Sequence, residues 1–282
     1  MKRFTQLVFV LVIGLACLSM PVLAEDADLK GALKKDKTGT NPINFTHDFR
    51  LYNEYQFLNV AGDGFNNITT LEYRHPLADG KWQLRARIRG VKIQADTNND
   101  GSDNLDKSGL GDIDIRVLTV PYLDMPNKFA VAVGLEVFLP SASDDALGTE
   151  ALSLGPQVFG VFFTPFGIPG TLIAPAYQHR FSIAVESGAE NEHKGLFDLF
   201  ILWSAKDKQT WALVNPQMVL DYEQDREFGF VEVEVGRMIG SGHSIYVRPS
   251  ISIGRDRPTD ASIEIGYKII WLPCELGSPV AA

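Results

Sequence analysis

Apolar and polar residues alternate with a period of two along most of this chain. The stretch WQLRARIR at residues 82–89 has Trp, Leu, Ala and Ile at one parity and Gln and Arg at the other. In a helix, alternate positions scatter around the axis, whereas in a strand they form two opposite faces. The pattern therefore predicts a β-strand with one apolar face and one charged face.

The same alternation recurs down the chain and predicts an all-β protein. The segment FGFVEVEVGRM at residues 228–238 sets valines against glutamates, and SIEIGYKIIW at 262–271 sets isoleucines and aromatic residues against polar ones. No segment after the N-terminal region has a convincing helical period. About twelve strands are predicted, over residues 48–58, 65–75, 81–94, 110–120, 128–139, 152–163, 170–183, 196–205, 209–221, 228–238, 244–253 and 261–272.

Two architectures produce such strands: a soluble sandwich with water on its polar side, and a membrane barrel with lipid outside and a polar lumen. The predicted connections favour the barrel. The three longest, at 95–109, 140–151 and 184–195, all fall at the same end of the antiparallel strands. Outer-membrane barrels have short turns at one end and longer loops at the other. The predicted fold is a transmembrane, antiparallel, up-and-down β-barrel.

The uncharged run at residues 151–178 is long enough for a membrane-spanning helix. Proline and glycine interrupt it repeatedly, and each proline in a helix interior costs ~3 kcal/mol. The run is therefore predicted to be a β-hairpin that turns at 164–169.

The tryptophans are predicted to lie together at the end of the barrel that carries the short turns. Amphipathic rings favour the membrane–water interface. The predicted interface residues are Trp82, Trp203, Trp211 and Trp271.

The N-terminus has the features of a secretory signal peptide. Lys2 and Arg3 precede an apolar run at residues 7–18, and small residues up to Ala24 form a cleavage site. The predicted organisation is a signal peptide (1–24), a flexible N-terminal arm or lumen plug (25–43), a barrel (44–272) and a C-terminal tail (273–282). The predicted location is the outer membrane of a Gram-negative cell.

Charge and cysteine content narrow the functional classes. The net charge of −9 argues against a nucleic-acid partner. Of the two cysteines, Cys17 lies in the signal peptide. Cys274 therefore has no internal disulfide partner, and the fold has to be held by strand pairing and packing.

The polar faces of the predicted strands collect charges of both signs. Arginine facing lipid at mid-depth would cost ~2–4 kcal/mol, so these residues are assigned to the lumen. Two interpretations stay open: a selectivity lining for a small polar or anionic group, and an internal salt-bridge network that fills the barrel. The predicted lumen-lining residues are Arg85, Arg87, Arg89, Arg116, Arg180, Arg248, Glu72, Asp112, Asp114, Glu136, Glu232, Glu234 and Glu264.

Residues 96–107 contain the first half of a calcium-loop pattern, with Asp96, Asn98 and Asp100 at ligand positions followed by a glycine. The twelfth position, where a bidentate glutamate belongs, is Lys107. A solvated external loop explains the same residues. Both interpretations stay open, and no other cofactor is predicted.

Enzyme motifs are absent from the sequence: there is no HExxH, GxSxG or phosphate-binding loop. The protein is therefore predicted not to be an enzyme. Two alternatives to a channel remain. One is a lipid-modifying enzyme with Ser or Thr beside His near the external rim. The other is a closed structural or adhesive barrel that acts through its external loops.

Several short segments carry a resemblance to a known family. They are GLGDI (109–113), VAVGLEVFLPS (131–141), LSLGPQ (152–157), NPQ (215–217) and VRPS (247–250).

In these segments the chain resembles the outer-membrane barrels named for the meta pathway of phenol degradation. The resemblance implies a transporter for aromatic or hydrophobic small molecules, with outer-membrane lipid and the barrel assembly machinery as partners. Such barrels usually end on an aromatic residue of the last strand, whereas Trp271 is followed by residues 272–282. The predicted function is passive passage of a small organic solute, with Arg85, Arg87 and Arg89 lining the passage.

Overall fold

The computed structural model describes residues 38–102, 104–207 and 209–271, most of which belong to one antiparallel sheet. The predicted signal peptide, residues 25–37, Cys274 and the predicted C-terminal tail lie outside the described residues. Single 3-10 turns occupy Ala78–Gly80, Asp145–Leu147 and Pro165–Gly167. The strands are β1 (His47–Leu58), β2 (Gly64–Leu77), β3 (Trp82–Ala95), β4 (Leu105–Leu110), β5 (Ile113–Asp124), β6 (Phe129–Leu139), β7 (Ala151–Phe163), β8 (Thr171–Val185), β9 (His193–Ser204), β10 (Thr210–Asp221), β11 (Arg226–Gly240), β12 (His243–Ile253) and β13 (Thr259–Trp271).

The sheet closes on itself. The first strand pairs with the last, from His47 opposite Trp271 onward, and β2 pairs with β3 along its whole length. Strands β4 and β5 both pair with β3, at residues 90–95 and 82–87 respectively, so they share one position in the ring. The fold is therefore a closed, twelve-stranded antiparallel β-barrel, which confirms the predicted fold class.

The split between β4 and β5 was not predicted. Residues 105–109 fell inside the predicted loop 95–109, because LDKSGL is short, polar and rich in turn-forming residues. Pairing with β3 makes it a strand despite these weak preferences, as is common for β-structure. The uncharged run 151–178 forms β7, a turn and most of β8, so the predicted hairpin is confirmed. Among the described residues, no helix is long and apolar enough to cross a bilayer.

The two ends of the barrel differ. We call the end that holds His47 and Trp271 the terminal end and the opposite one the loop end. Short turns such as 78–81 and 241–242 lie at the terminal end, whereas the connections 96–104 and 140–150 lie at the loop end. The predicted long connection 184–195 shrinks to 186–192, because β8 and β9 both extend into it.

Large apolar side chains cover the outside of the barrel. Ile265, at the middle of β13, is 62% exposed, and Ile251, near the end of β12, is 60% exposed. A contiguous exposed apolar surface of this kind marks contact with lipid or with another apolar partner. Other members of this apolar belt are Leu51, Leu71, Ile88, Ile115, Leu135, Val158, Phe197, Ile201, Val214, Val233, Val235, Ile245, Val247 and Ile263.

An apolar cluster fills the lumen at the terminal end. Its central member, Ile43, belongs to the segment before β1 and is fully buried. We call residues 38–46 the plug segment. Ile43 packs with inward side chains of β5–β10 and β12, namely Leu118, Val120, Ala130, Ala132, Phe159, Val161, Leu172, Ala174, Leu202, Trp211, Leu213 and Tyr246.

Three tryptophans lie on the outside of the terminal end, as predicted, but Trp211 does not. Its ring is fully buried inside the barrel, and its Nε1 donates a hydrogen bond to Glu234 Oε1 at 2.6 Å. Trp211 shares its parity with Leu213 and with polar residues of β10, which face inward. The assignment of Trp211 to the membrane interface was therefore wrong.

Glycine makes room for Trp211 across the strand pair. Gly236 lies opposite Trp211 in the β10–β11 ladder, and a Cβ added there would collide with the indole ring. Since the ring is buried and hydrogen-bonded, it has little freedom to move. Gly266 makes room for the Tyr246 ring in the same way.

We expect Gly236→Ala to lower the free energy of unfolding by ~1–3 kcal/mol through overpacking. Unfolding by urea in detergent, followed by tryptophan fluorescence, measures the change. The control is Gly90→Ala on β3, where the nearest atom to the new Cβ is Thr69 O at 3.9 Å. An equal loss in both variants would contradict this packing.

Candidate functional site: the charged lumen

A cavity of about 320 Å³ lies inside the barrel, bounded at the terminal end by Thr40 and Pro42 of the plug segment. Its wall is largely charged. Nine predicted lumen residues line it: Arg85, Arg87, Arg116, Arg248, Glu72, Glu136, Glu232, Glu234 and Glu264.

The arginine column of WQLRARIR faces two buried carboxylates. Arg87 Nε lies 2.8 Å from Asp114 Oδ1, and Arg87 Nη2 lies 2.9 Å from Glu136 Oε1. Arg85 pairs with Glu136, and Arg89 pairs with Asp114. Because β3, β5 and β6 are successive in the ring, their inward side chains meet at one level. On this wall the arginines form a salt-bridge network, which was one of the two predicted interpretations.

A second network surrounds Glu234, which accepts from Trp211, pairs with Arg248 and lies 3.3 Å from Lys268 Nζ. The Lys268 side chain is almost fully buried, with Nζ 4.5 Å from the centroid of the Tyr246 ring. A buried ammonium needs this carboxylate and these ring faces to offset its lost hydration.

A third group of charges holds the plug segment. Arg50 Nε lies 2.7 Å from Asp48 Oδ1 and 3.4 Å from Glu72, and Arg50 Nη2 donates to Gly39 O at 2.7 Å. The part of the predicted arm or plug that the structure describes, from Thr38 to Ile43, therefore lies inside the barrel.

Four further charged residues line the cavity and were not among the predicted lumen residues: Arg50, Arg74, Asp198 and Lys268. Strand parity would have found them, because each shares the inward parity of a named residue or of a polar neighbour on its own strand.

Four predicted lumen residues do not border the cavity. Asp114 and Arg89 belong to the arginine network but do not line the cavity. Arg180 pairs with Glu192 and covers the Phe138 ring at 3.7 Å. Asp112, between β4 and β5, has a separate role.

Asp112 anchors the loop 140–150. Its Oδ1 accepts from the backbone amides of Ser141 and Ala142, and its Oδ2 accepts from the amide and hydroxyl of Thr149, at 2.8–3.2 Å. Leu147 of this loop is buried beside Gly109 and Gly111. The loop therefore folds back onto the barrel at the loop end.

The loop has a second, exposed attachment. Lys107 Nζ donates to Asp144 Oδ2 at 2.7 Å, and this hydrogen bond lowers the pKa of the Asp144 carboxyl. At the protein surface such a pair contributes little to stability.

In the calcium-like loop, the acidic oxygens accept hydrogen bonds from the loop itself. Asp96 accepts from the amides of Asp100 and Gly101, and Asp100 accepts from Asn98 and Ser102. Among the described residues, no group of three or more His, Cys, Asp or Glu is arranged to hold a metal ion. Calcium binding here stays a prediction.

The histidines pair with tyrosines on the outside of the barrel. His47 bonds Tyr73 at 2.9 Å, His179 bonds Tyr177 at 2.9 Å, and His243 bonds Tyr267 at 2.6 Å. Within residues 38–102, 104–207 and 209–271, no histidine hydrogen-bonds a serine or threonine hydroxyl. The pair required by the lipid-enzyme alternative is therefore not found in this part of the chain.

No family model and no curated protein matches this chain. The family resemblance therefore stays a prediction.

Solved outer-membrane barrels do match the fold. The COG4313 outer-membrane channel from Pseudomonas putida F1 is similar with a TM-score of 0.63 and 11% identity, over 80% of this chain and 95% of that one. The NanC porin has a TM-score of 0.56 and 11% identity, over 79% and 100% of the two chains. The KdgM porin has a TM-score of 0.53 and 10% identity, over 80% and 99%. At this identity, the similarity shows the fold alone.

We expect Asp112→Asn to free the loop 140–150, because an amide has one acceptor oxygen and turns an NH₂ group toward the other donors. Losing charge-assisted hydrogen bonds should speed hydrogen exchange at Ala142 and Thr149 about tenfold or more. Hydrogen exchange with mass spectrometry measures this. The control is Asp106→Asn on β4, whose side chain is exposed. Unchanged protection in Asp112→Asn would contradict the anchoring role.

Proposed function

We propose that this protein is a channel in a bacterial outer membrane for passive passage of small organic solutes. The observation that carries the proposal is the inversion of polarity: a closed barrel with an apolar outside and a charged, partly empty inside. A soluble β-protein buries its apolar faces, whereas this barrel exposes them.

Two free-energy costs support the membrane location: that of unpaired backbone amides in hydrocarbon and that of charged side chains facing lipid. In hydrocarbon every backbone amide needs a partner, which a closed barrel provides without an edge strand. The outward faces of the strands carry the apolar belt, and the arginines of β3 face inward. Outer-membrane lipid and the barrel assembly machinery are the corresponding proposed partners, after cleavage of the leader near Ala24.

The cavity favours a solute with an apolar body and a charged group. Its lining includes the apolar side chains of Phe159, Phe200 and Leu213, together with ionic and neutral polar residues. An aromatic or hydrophobic body fits the first surface, and its polar group fits the second.

Passage requires the plug segment to move. Ile43 seals the terminal end by apolar packing, and Arg50 holds the backbone at Gly39. The solute path therefore runs from the loop end, through the cavity, to a gate formed by the chain itself.

The plug segment also supports a second candidate function, a closed structural or adhesive barrel. In that case the apolar cluster is a permanent core, and the loop end is the working surface. Conductance separates the two candidates.

We expect the folded protein to give small or brief single-channel currents in planar bilayers, and a variant lacking residues 38–43 to give currents several times larger, because the apolar seal is gone. The milder variant Ile43→Ser should give an intermediate increase. The control is Phe166→Ser, in a turn of the same end, where the side chain is 91% exposed.

Folding of each variant is checked by its heat-modifiable mobility on gels. Folded proteins that stay silent with and without the plug would reject the channel and favour the structural barrel. Liposome swelling with aromatic acids and with sugars of similar size then tests the preferred solute.

A further inference from the structure

The charges that line the cavity are segregated. On the side formed by β1–β3, β5 and β6 the lining holds five arginines and two glutamates. Even with Asp48 and Asp114, which lie behind these arginines, cations predominate. On the side formed by β9 and β11–β13, the charged lining residues are Asp198, Glu232, Glu234, Arg248, Glu264 and Lys268, so carboxylates predominate.

One cation on the positive side has no partner. Arg116 lies beside Glu136 in the β5–β6 ladder, but Glu136 is taken by Arg85 and Arg87. The Nε of Arg116 is buried without a hydrogen-bond partner in the part of the chain that the structure describes. A guanidinium in this state offers its donors to the cavity.

Two carboxylates on the negative side also lack a cation. Glu232 accepts only from side-chain amides, with Gln217 Nε2 at 3.0 Å. Asp198 lies next to Gln217 in the β9–β10 ladder and pairs with no cation among the described residues. The nearby Arg248 is already bound to Glu234 and Glu264.

The topology places these unpaired groups across the lumen from each other. Strands β5 and β11 lie half a turn apart in the ring of twelve positions, and β9 lies between them, a third of a turn from β5. All three side chains are half-buried, and a ligand with complementary groups at its two ends would pair the charges on both sides at once. A cavity of about 320 Å³ is sufficient for a small organic molecule.

We propose that the cavity binds a small molecule with a carboxylate at one end and an ammonium group at the other, such as an ω-amino carboxylate. Arg116 receives the carboxylate, and Asp198 with Glu232 receives the ammonium group. This inference rests on the proposed function, because it names the class of solute that the channel would select.

The test uses three probes of one length: 6-aminohexanoate, hexanoate and hexylamine. Isothermal titration calorimetry of the full chain in detergent measures their affinities. We expect 6-aminohexanoate to bind about tenfold or more tightly than either of the others, since each charged contact contributes at least that factor.

Two variants assign the two ends. In Arg116→Gln, 6-aminohexanoate should bind no more tightly than hexylamine. In Asp198→Asn its advantage over hexanoate should fall several-fold, because only Glu232 is left to receive the ammonium group. Neither substitution leaves an ion-pair partner behind, so both variants should fold. The control is Arg257→Gln, in an exposed loop, which should keep the full preference.

The proposal would be overturned if none of the three probes binds or if all three bind with equal affinity. It would also be overturned if neither variant changes the preference for 6-aminohexanoate. Conductance of the same preparations separates it from the channel hypothesis. Currents without 6-aminohexanoate binding would reject the ligand site and keep the channel. Selective binding without currents in any variant would support the site and reject the channel.

Discussion

Ring closure between the first and last strands is the constraint on which the rest of this structure depends. Once β1 pairs with β13, the ring of twelve positions is closed, and among the described strands only β4 pairs with a single neighbour, β3. The ring then has an inside and an outside, and the period of two in the sequence assigns each side chain to one of them. The apolar belt and the charged lumen are two results of the same closure.

Closure also determines how charge can be held inside. The networks around Asp114 and Glu234 each join side chains of three or more strands, and the network around Arg50 joins two strands with the plug segment. The low dielectric of the interior strengthens the attraction within each ion pair, but the pair is stabilising only because the strand register fixes the positions of its partners. Among the charged residues that line the cavity, Arg116, Asp198 and Glu232 have no ion-pair partner within the described residues. They are informative because most of the charges around them are paired.

Much of this could be predicted from the chain alone. The alternation of apolar and polar residues correctly predicted that the arginines of β3, Glu136 and Glu234 face inward. The positions of proline and glycine correctly predicted the hairpin between β7 and β8. What failed depends on contacts that a local pattern does not contain. Trp211 faces inward because Gly236 makes room for it across a strand pair, and Asp112 faces the loop 140–150 because β4 and β5 separate at that point.

The unpaired charges needed the same non-local knowledge. Arg116 and Asp198 look like any inward polar residue until the ring shows which arginines and glutamates are already engaged. The choice between a flexible arm and a lumen plug could not be made locally either, since residues 38–46 owe their position to the walls around them.

The position of Ile43 has a consequence for how this molecule is built. The plug segment precedes β1 in the chain, yet it packs against the inner walls of β5–β10, which are made later. If the barrel closed first, the plug segment would have to enter the lumen past the buried Arg50–Asp48 pair. The sheet instead has to close around the plug segment, so that pairing of β1 with β13 and packing of the apolar cluster occur together. Both require closure of a long chain loop, whose entropy cost precedes the gain from the contacts.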